Sequence, residues 1–384
     1  MSEVSAELLD GVRERLARDA APLTPQLVAR ALREQGRPVG DATVLAVHDA
    51  LHRDVVGAGP LEPLLRLDGV TDVLVNGAEQ VWIDRGAGLE RTGVRFADDA
   101  AVRRLAQRLA ATGGRRLDDA SPYVDLRLPD GSRFHAVLAP VSRPGTVLSL
   151  RVPRQRVFTL EELVAAGAVG ADGAALLAQV VRRRLAFLVS GGTGSGKTTL
   201  LNALLSLVGP EERMVLVEDA SELRPDHGHV VAMEARPANI EGAGEVTLRT
   251  LVRQALRMRP DRLVVGEVRG AEVVDMLAAM NTGHQGGCAT IHANSAADVP
   301  SRVEGLALAA GLSRAATHSQ LHSALDVVVH LGRGADRRRR VREIGVVTRG
   351  SAGEVEVVTG VGFGAAGRLL PGPAMDRLSR LVEA

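Results

Sequence analysis

Eight consecutive residues, Gly191-Gly192-Thr193-Gly194-Ser195-Gly196-Lys197-Thr198, read G-x-x-x-x-G-K-T. Chemically this is a device for holding phosphate. Glycines let successive backbone N–H groups close around a phosphate, and a helix starting there adds its positive end. Lys197 is placed to reach the β- and γ-phosphates of a nucleoside triphosphate such as ATP, and the Thr198 hydroxyl to ligand Mg²⁺. Thr199, where the helix is expected to begin, completes the nucleotide-binding set. The flanks give the pattern its weight. Residues 185–190 form an apolar run suited to a buried strand, and Leu200, Leu201, Leu204 and Leu205 recur behind the loop at helical spacing. Composition adds a second argument, because Lys197 is the only lysine in the chain. A chain that otherwise uses arginine for permanent positive charge has the compact, flexible ammonium at this position.

Phosphoryl transfer to water also needs a partner for Mg²⁺ and a carboxylate that orients or deprotonates the water. Ligands of a parallel sheet gather at the carboxyl ends of its strands. The apolar run 214–217 delivers Glu218, and 263–265 delivers Gly266-Glu267. A third run, 288–291, delivers His292, with His284 in the loop before it. Any one of these, taken singly, is most simply a helix cap, a solvated strand end or a structural histidine. Gathered at one edge beyond a phosphate loop, they form a candidate site. Glu218 and Glu267 are the candidate acids, with Glu218 joining Thr198 as a metal ligand or exchanging roles with Glu267. The single cysteine, Cys288, sits in an apolar run and reads as a small buried hydrophobe. One cysteine excludes an intrachain disulfide and a multi-cysteine zinc site.

The elements that must position these residues fall into several blocks. A chain of 384 residues has room for two domains or more, and 45% hydrophobic with 24% charged residues fits a globular protein. No apolar run reaches the length of a membrane span and the N-terminus lacks a signal-peptide pattern, so membrane contact is expected only through partners, in a cytoplasmic setting. A net charge of +1 and 2% aromatics argue against direct nucleic-acid binding. Residues 1–56 read as a helical leader, with helices over 2–20, 25–33 and 41–55; Thr24 is the N-cap of the second and Pro25 its first residue. Residues 57–151 read as an α+β domain, with a hairpin signal at Asn76-Gly77, a helix over 102–111 and strands over 123–128, 132–138 and 147–152. A linker follows at 152–160. Residues 161–350 alternate strands (187–190, 214–218, 263–266, 287–292 and 326–331) with helices, the pattern of an α/β, RecA-like P-loop domain with a mostly parallel sheet. Residues 351–384 are set apart as a tail, although 341–347 and 354–358 look antiparallel. The arginine run 337–340 is expected to be a solvated turn.

Several stretches carry a family resemblance: GPLEPLL at 59–65, VTDVLVNG at 70–77 and SPYVDLRLPDGSRFHAVLAP at 121–140. They continue with SGGTGSGKTTLLNAL from 190, VEDASEL from 217, RMRPDRLVVGEVRGAE from 257 and TGHQGGCATIHAN from 282. Over about residues 57–347 the chain resembles the ATPases of type II and type IV secretion and pilus machines, closest to the tight-adherence (CpaF/TadA-like) branch. In that family the last four stretches are the Walker A, Asp-box, Walker B and His-box motifs. The resemblance implies a homohexameric ring ATPase at the cytoplasmic face of the inner membrane, gripping polytopic platform proteins and driving fibre assembly or export. It places Glu218 on the Asp-box acid, Glu267 on the Walker B glutamate, and His284 and His292 on the His-box histidines. Departures are few. Residues 125–127 read DLR where DAR is expected, and Phe134-His135 stands where Val-Asn is frequent. Gly-Glu closes the Walker B strand, as is usual in this family, which leaves the division of labour between Glu218 and Glu267 open. Arg127 and Arg133 flank the Pro129-Asp130-Gly131 turn within the N-terminal signature, and Arg151 starts the linker. They are candidates to touch the γ-phosphate, as arginines from another domain commonly do. Three rival readings are a conjugation-type motor for DNA, a nucleotide-gated scaffold without turnover, and a recombinase-like ATPase; the last leaves the N-terminal matches unexplained.

Lys197→Ala is expected to abolish hydrolysis and strongly weaken triphosphate binding, because no other lysine exists to meet the phosphates. Phosphate release by the purified variant checks it; near-parental turnover would overturn the assignment.

Overall fold

The computed structural model describes residues 24–34, 40–48 and 57–384, apart from 42, 46, 87, 153–156, 237, 239–242, 284, 335, 337, 365–366 and 384. The helix expected over 2–20, part of that over 41–55, the middle of the linker and His284 lie outside the described residues. The chain divides into two compact units, Met1–Arg154 and Gln155–Ala384.

In the first unit, α1 (Pro25–Glu34) opens with Pro25, and the Thr24 hydroxyl accepts from the Leu27 N–H at 3.4 Å. Val28, Ala31 and Leu32 are buried on one face at helical spacing. After the short α2 (Glu62–Leu65) come β1 (Asp72–Asn76), β2 (Val81–Asp84), β3 (Leu89–Arg91), α3 (Asp99–Thr112), β4 (Tyr123–Arg127), β5 (Arg133–Val137) and β6 (Val147–Arg151). The strands form an antiparallel sheet in the order β3-β2-β1-β6-β5-β4. Asn76-Gly77 marks a turn over 77–80, closed by Asn76 N–H on the Gln80 carbonyl at 2.8 Å. Helix α3 is capped by Asp98, whose carboxylate accepts from the Ala101 N–H. Its Val102, Leu105 and Leu109 pack with Val73, Val75, Phe134, Leu148 and Leu150.

The second unit runs α4 (Leu160–Ala165), α5 (Ala171–Arg182), β7 (Phe187–Gly191), α6 (Lys197–Leu205), β8 (Met214–Glu218), β9 (Val230–Glu234) and α7 (Leu248–Ala255). It continues with β10 (Arg262–Val268), α8 (Glu272–Met280), β11 (Cys288–Ile291), α9 (Val299–Ala309), α10 (Arg314–Ala324) and β12 (Val327–Arg333). The last elements are β13 (Arg339–Arg349), β14 (Val355–Phe363), β15 (Leu369–Pro371) and α11 (Met375–Glu383). One sheet joins all nine strands in the order β15-β14-β13-β12-β7-β11-β10-β8-β9. From β12 to β9 neighbours are parallel; β13, β14 and β15 add on antiparallel. The central strands are buried on both faces, which is why they read as continuous apolar runs. Phe187 and Val189 of β7 face a core built with α5, α6 and α11, whereas Leu188 faces one built with α7, α8, α9 and α10. Cys288 is fully buried, and burial pushes its thiol up to about 12.

Three differences from the sequence reading have physical causes. Strand β9 was not expected: it is a half-exposed edge strand and lacks the apolar run of its neighbours. Arg339 and Arg340 are not in a solvated turn but open β13, paired with Arg333 and Gly332 of β12. The antiparallel look of 341–347 and 354–358 corresponds to β13 and β14, but the boundary drawn at 350 separates no tail: β15 follows in the same sheet and α11 seats Leu378 and Val382 in its core.

The start of β10 carries a buried ion pair. Arg262 donates through Nε and Nη2 to the two Glu212 oxygens at 2.8 and 3.0 Å, and through Nη2 to the Val181 carbonyl at 2.8 Å. Removing one partner strands the other in a low-dielectric interior. Glu212→Ala should therefore cost about 3–5 kcal/mol, read as a lowered urea midpoint; an unchanged midpoint would show that Arg262 finds water.

Candidate functional site

Strand β7 ends at Gly191, the loop 192–196 turns, and α6 begins at Lys197, two residues earlier than expected. The entrance to the loop is tight. Gly191 has φ +151°, and a Cβ there would stand 2.5 Å from the Leu331 carbonyl of β12. Gly196 caps α6 with φ +99°, a conformation L side chains rarely adopt. Gly192, Thr193 and Gly194 are exposed at the tip, Thr198 and Thr199 half-buried, and the buried Ser195 hydroxyl has no partner among the described residues. Lys197 is only 7% exposed and donates from Nζ to the carbonyls of Gly191 and Gly192, both at 3.1 Å. Burial lowers its pKa, and the Glu267 charge opposes that shift.

The two acids occupy different surroundings. Glu218, at the end of β8, is 3% exposed. One oxygen accepts from the Glu222 and Leu223 N–H groups, both at 3.0 Å, while Oε2 is buried with no partner among the described residues. Burial pushes this carboxyl up to about 7, against those two hydrogen bonds. A Cβ on Gly266 would stand 2.6 Å from Glu218 Cγ, so the Glu218 side chain fills the space beside the glycine.

Glu267 sits at a β-bulge. Val265 pairs with Ala289 and Val268 with Ile291, leaving Gly266 and Glu267 opposite Thr290, whose hydroxyl donates to the Gly266 carbonyl at 2.6 Å. Such a bulge re-aims a side chain. Here the carboxylate stands 2.6 Å from His292 Nε2 with one oxygen and contacts the Arg269 guanidinium with the other. The His292 ring also lies 3.4–3.5 Å from Lys197 Nζ. Burial first, then the Lys197 charge, lower the His292 pKa. The Glu267 oxygen nearest the ring accepts no well-aligned hydrogen bond among the described residues, and both ring nitrogens lie within reach of the Lys197 ammonium.

The residues fit a hydrated divalent cation. The Thr198 hydroxyl donates to Glu222 Oε2 at 3.3 Å, and the orphaned Glu218 Oε2 is a further hard oxygen. No group of three or more His, Cys, Asp or Glu ligands occurs among the described residues. Few protein oxygens are what Mg²⁺ needs when phosphates and water supply the rest.

The sequence reading did not single out Glu222, Arg269, Glu272 or Arg333. Glu272 is buried and accepts from the Arg269 and Gly270 N–H groups at 2.6 and 2.7 Å, fixing the turn that carries Arg269. Arg333 Nη2 reaches the Gly194 carbonyl at 3.4 Å. Arg269 lies one residue beyond the end of β10, past the bulge, and Glu222 lies in a loop, so neither carries a periodic signal.

In the first unit, Arg127 is directly opposite Arg133, and Arg133 directly opposite Arg151. Opposed residues share a face, and the core side is taken by Val124, Phe134 and Leu150. The three arginines thus form a row across β4, β5 and β6 on the other face. Arg127 Nε donates to the Gly131 carbonyl at 3.1 Å, and Arg133 pairs with Asp125.

The chain matches the family model described as type II/IV secretion system protein over residues 54–368. It is 58% identical over 327 residues to a protein of Mycobacterium tuberculosis named for conjugal transfer, covering 84% of this chain and 93% of that one. It is 34% identical over 315 residues to the type IV secretion system protein PtlH of Bordetella pertussis, covering 74% and 92%. The X-ray structure of the Yersinia pseudotuberculosis ATPase DotB is similar in fold, with a TM-score of 0.52 and 16% identity over 81% of this chain and 78% of that one.

The raised Glu218 pKa has a consequence for stability. Between its ordinary 4.5 and about 7, the folded protein binds more protons than the unfolded one, so stability falls as pH rises through that window. In protein free of nucleotide and Mg²⁺, Glu218→Gln should remove this slope, worth about 3 kcal/mol. Urea midpoints from pH 4.5 to 7.5 check it; parallel curves for parent and variant would overturn it.

Proposed function

The chain belongs to the type II/IV secretion system protein family, and from that premise we propose that it is an ATP-hydrolysing motor. It works as a closed homohexamer at the cytoplasmic face of the inner membrane, on polytopic platform proteins, to power pilus assembly or protein secretion. Among the described residues no helix is long and apolar enough to cross a membrane, in keeping with a grip through partners. The observation that carries the enzymatic reading is the Glu267 carboxylate between His292 and Arg269, beside the buried Lys197 of the phosphate loop.

These surroundings support the following assignment of roles. Lys197, the loop N–H groups and the α6 N-terminus hold the phosphates. Thr198, with Glu218 and Glu222 near it, would hold a Mg²⁺ ion, which when bound would supply charge neutralisation at the phosphate oxygens. Glu267 orients the attacking water and takes its proton, with His292 and Arg269 fixing the carboxylate. Glu218 is buried and committed to the backbone of 222–223, which suits a positioning acid better than a base. Arg127 and Arg133, with Arg151 completing the row, supply positive charge to the γ-phosphate in a closed state. His284 is carried as a candidate by the family motif alone.

A second reading, a conjugation-type motor for DNA transfer, is favoured by the name of the 58%-identical relative. Salt-sensitive DNA binding that stimulates turnover would select it.

Glu267→Gln is expected to retain ADP and ATP affinity and lose roughly 10²-fold or more in kcat, and Arg133→Ala to lose roughly 10³-fold. Phosphate release and nucleotide titration of both variants, at concentrations where light scattering shows the oligomer, are the measurements. Normal turnover by Glu267→Gln with loss in Glu218→Gln exchanges the two acids; parental turnover by Arg133→Ala removes the arginine row from the mechanism.

A further inference from the structure

A cavity of about 720 Å³ in the second unit is lined by five arginines: Arg182, Arg183, Arg184, Arg377 and Arg380. It lies at the opposite end of the sheet from the phosphate loop. Its lining includes Leu185, just ahead of β7, and Gln285, just ahead of β11, whereas the phosphate loop leaves the carboxyl end of β7. Five residues of strand, roughly 16 Å, separate the two ends.

The arginines come from two helices and are held differently. Arg183 caps α5 and donates to the Val382 and Glu383 carbonyls at 3.2 and 2.9 Å, tying that corner to the last turn of α11. Arg184 follows with φ 52°, the left-handed conformation in which glycine usually ends a helix. Its Nε pairs with Glu212 at 3.2 Å. Arg182, Arg377 and Arg380 are exposed, and none forms an ion pair among the described residues. The Asp326 carboxylate senses the Arg377 charge but is engaged by the Ala186 N–H at 2.8 Å. No acid lines the cavity.

Like charges repel, so gathering guanidinium groups in a concavity opposes folding unless an anion joins them. Concave walls of low polarity, here Leu185 and Leu381, strengthen the field inside. The planar guanidinium fork matches two oxygens of a phosphate at once. A cavity of this volume is in the range of small-ligand sites. We propose that the cavity between the end of α5 and α11 is a second anion site, which binds a phosphate-bearing ligand through Arg182, Arg377 and Arg380. The ligand presents an anionic phosphate group to these guanidinium groups. It is either a soluble phosphorylated compound or the headgroup of an anionic lipid, two sources with the same recognition chemistry. The site uses no group of the nucleotide site and rests on no step of hydrolysis.

The test uses the full chain with saturating ADP and Mg²⁺, so that the phosphate loop is filled. Inorganic pyrophosphate is titrated calorimetrically, and vesicles of phosphatidylglycerol or of phosphatidylcholine are co-sedimented with the protein. The parent should bind pyrophosphate, and the Arg377→Ala/Arg380→Ala double variant should bind it roughly tenfold or more weakly, the loss of one or more charge-assisted contacts. ADP affinity and the melting temperature should be unchanged. If the double variant melts early, Arg182→Ala on the other helix takes its place, with a loss in the same direction expected. Phosphatidylglycerol binding that is lost in the variant and competed by pyrophosphate assigns the lipid source; pyrophosphate binding without vesicle binding assigns the soluble one. Absence of both, or equal binding by parent and variants, overturns the proposal.

Discussion

A lysine ammonium that is almost out of water sets the terms for the second unit. Desolvation favours its neutral form, and two loop carbonyls, a histidine ring and a nearby carboxylate charge act against that. These compensations require the phosphate loop to start at a strand flanked on both sides. In this sheet β7 is bordered by β12 and β11. From β12 comes the Leu331 carbonyl that admits only glycine at 191, and His292 follows β11 directly. Strand β10 lies one position farther out, and its bulge turns Glu267 back toward the lysine. The order of strands is thus as much a part of the lysine's surroundings as the loop itself.

The two acids show how one sheet edge supports two environments. Glu218 ends a strand that is buried on both faces, and its side chain occupies the room that Gly266 leaves empty. It is enclosed, holds a turn, and has one oxygen to spare. Glu267 comes from the neighbouring strand but leaves it at an irregularity, so it reaches the partly wet rim where His292 and Arg269 meet it. Position relative to the bulge, more than residue type, separates an enclosed acid from one that can meet water.

Much of this was legible in the sequence for a physical reason. Strands buried on both faces must be apolar throughout, so 214–218 is bounded in the structure as its pattern predicts, and the phosphate loop declares itself by glycine spacing and a lone lysine. Edge strands obey a weaker rule: β9 buries too little to leave a pattern. Charge misled at Arg339 and Arg340, where pairing with β12 outweighs the preference of arginine for water and long stems let the heads escape. Glu222 and Arg269 could not be ranked from sequence, because their contacts depend on a loop path and a bulge. The alignment of Arg127, Arg133 and Arg151 depends on register, which strand patterns suggest but the long connection between β5 and β6 does not fix.

That register bears on how such a protein can change over generations. The three arginines are held side by side by a ladder of backbone hydrogen bonds, and their separation along the chain is immaterial. The exposed middle of the connection between β5 and β6 can change length while the row keeps its spacing, whereas in the hairpin of β4 and β5 the loop length sets the register. A single residue gained or lost within β5 has the opposite effect, because alternation would turn its arginine inward and expose the phenylalanine beside it. Heritable length change is thereby best absorbed in the connection between β5 and β6. The trace of selection on this surface lies in where gaps are tolerated, at positions outside the arginine row.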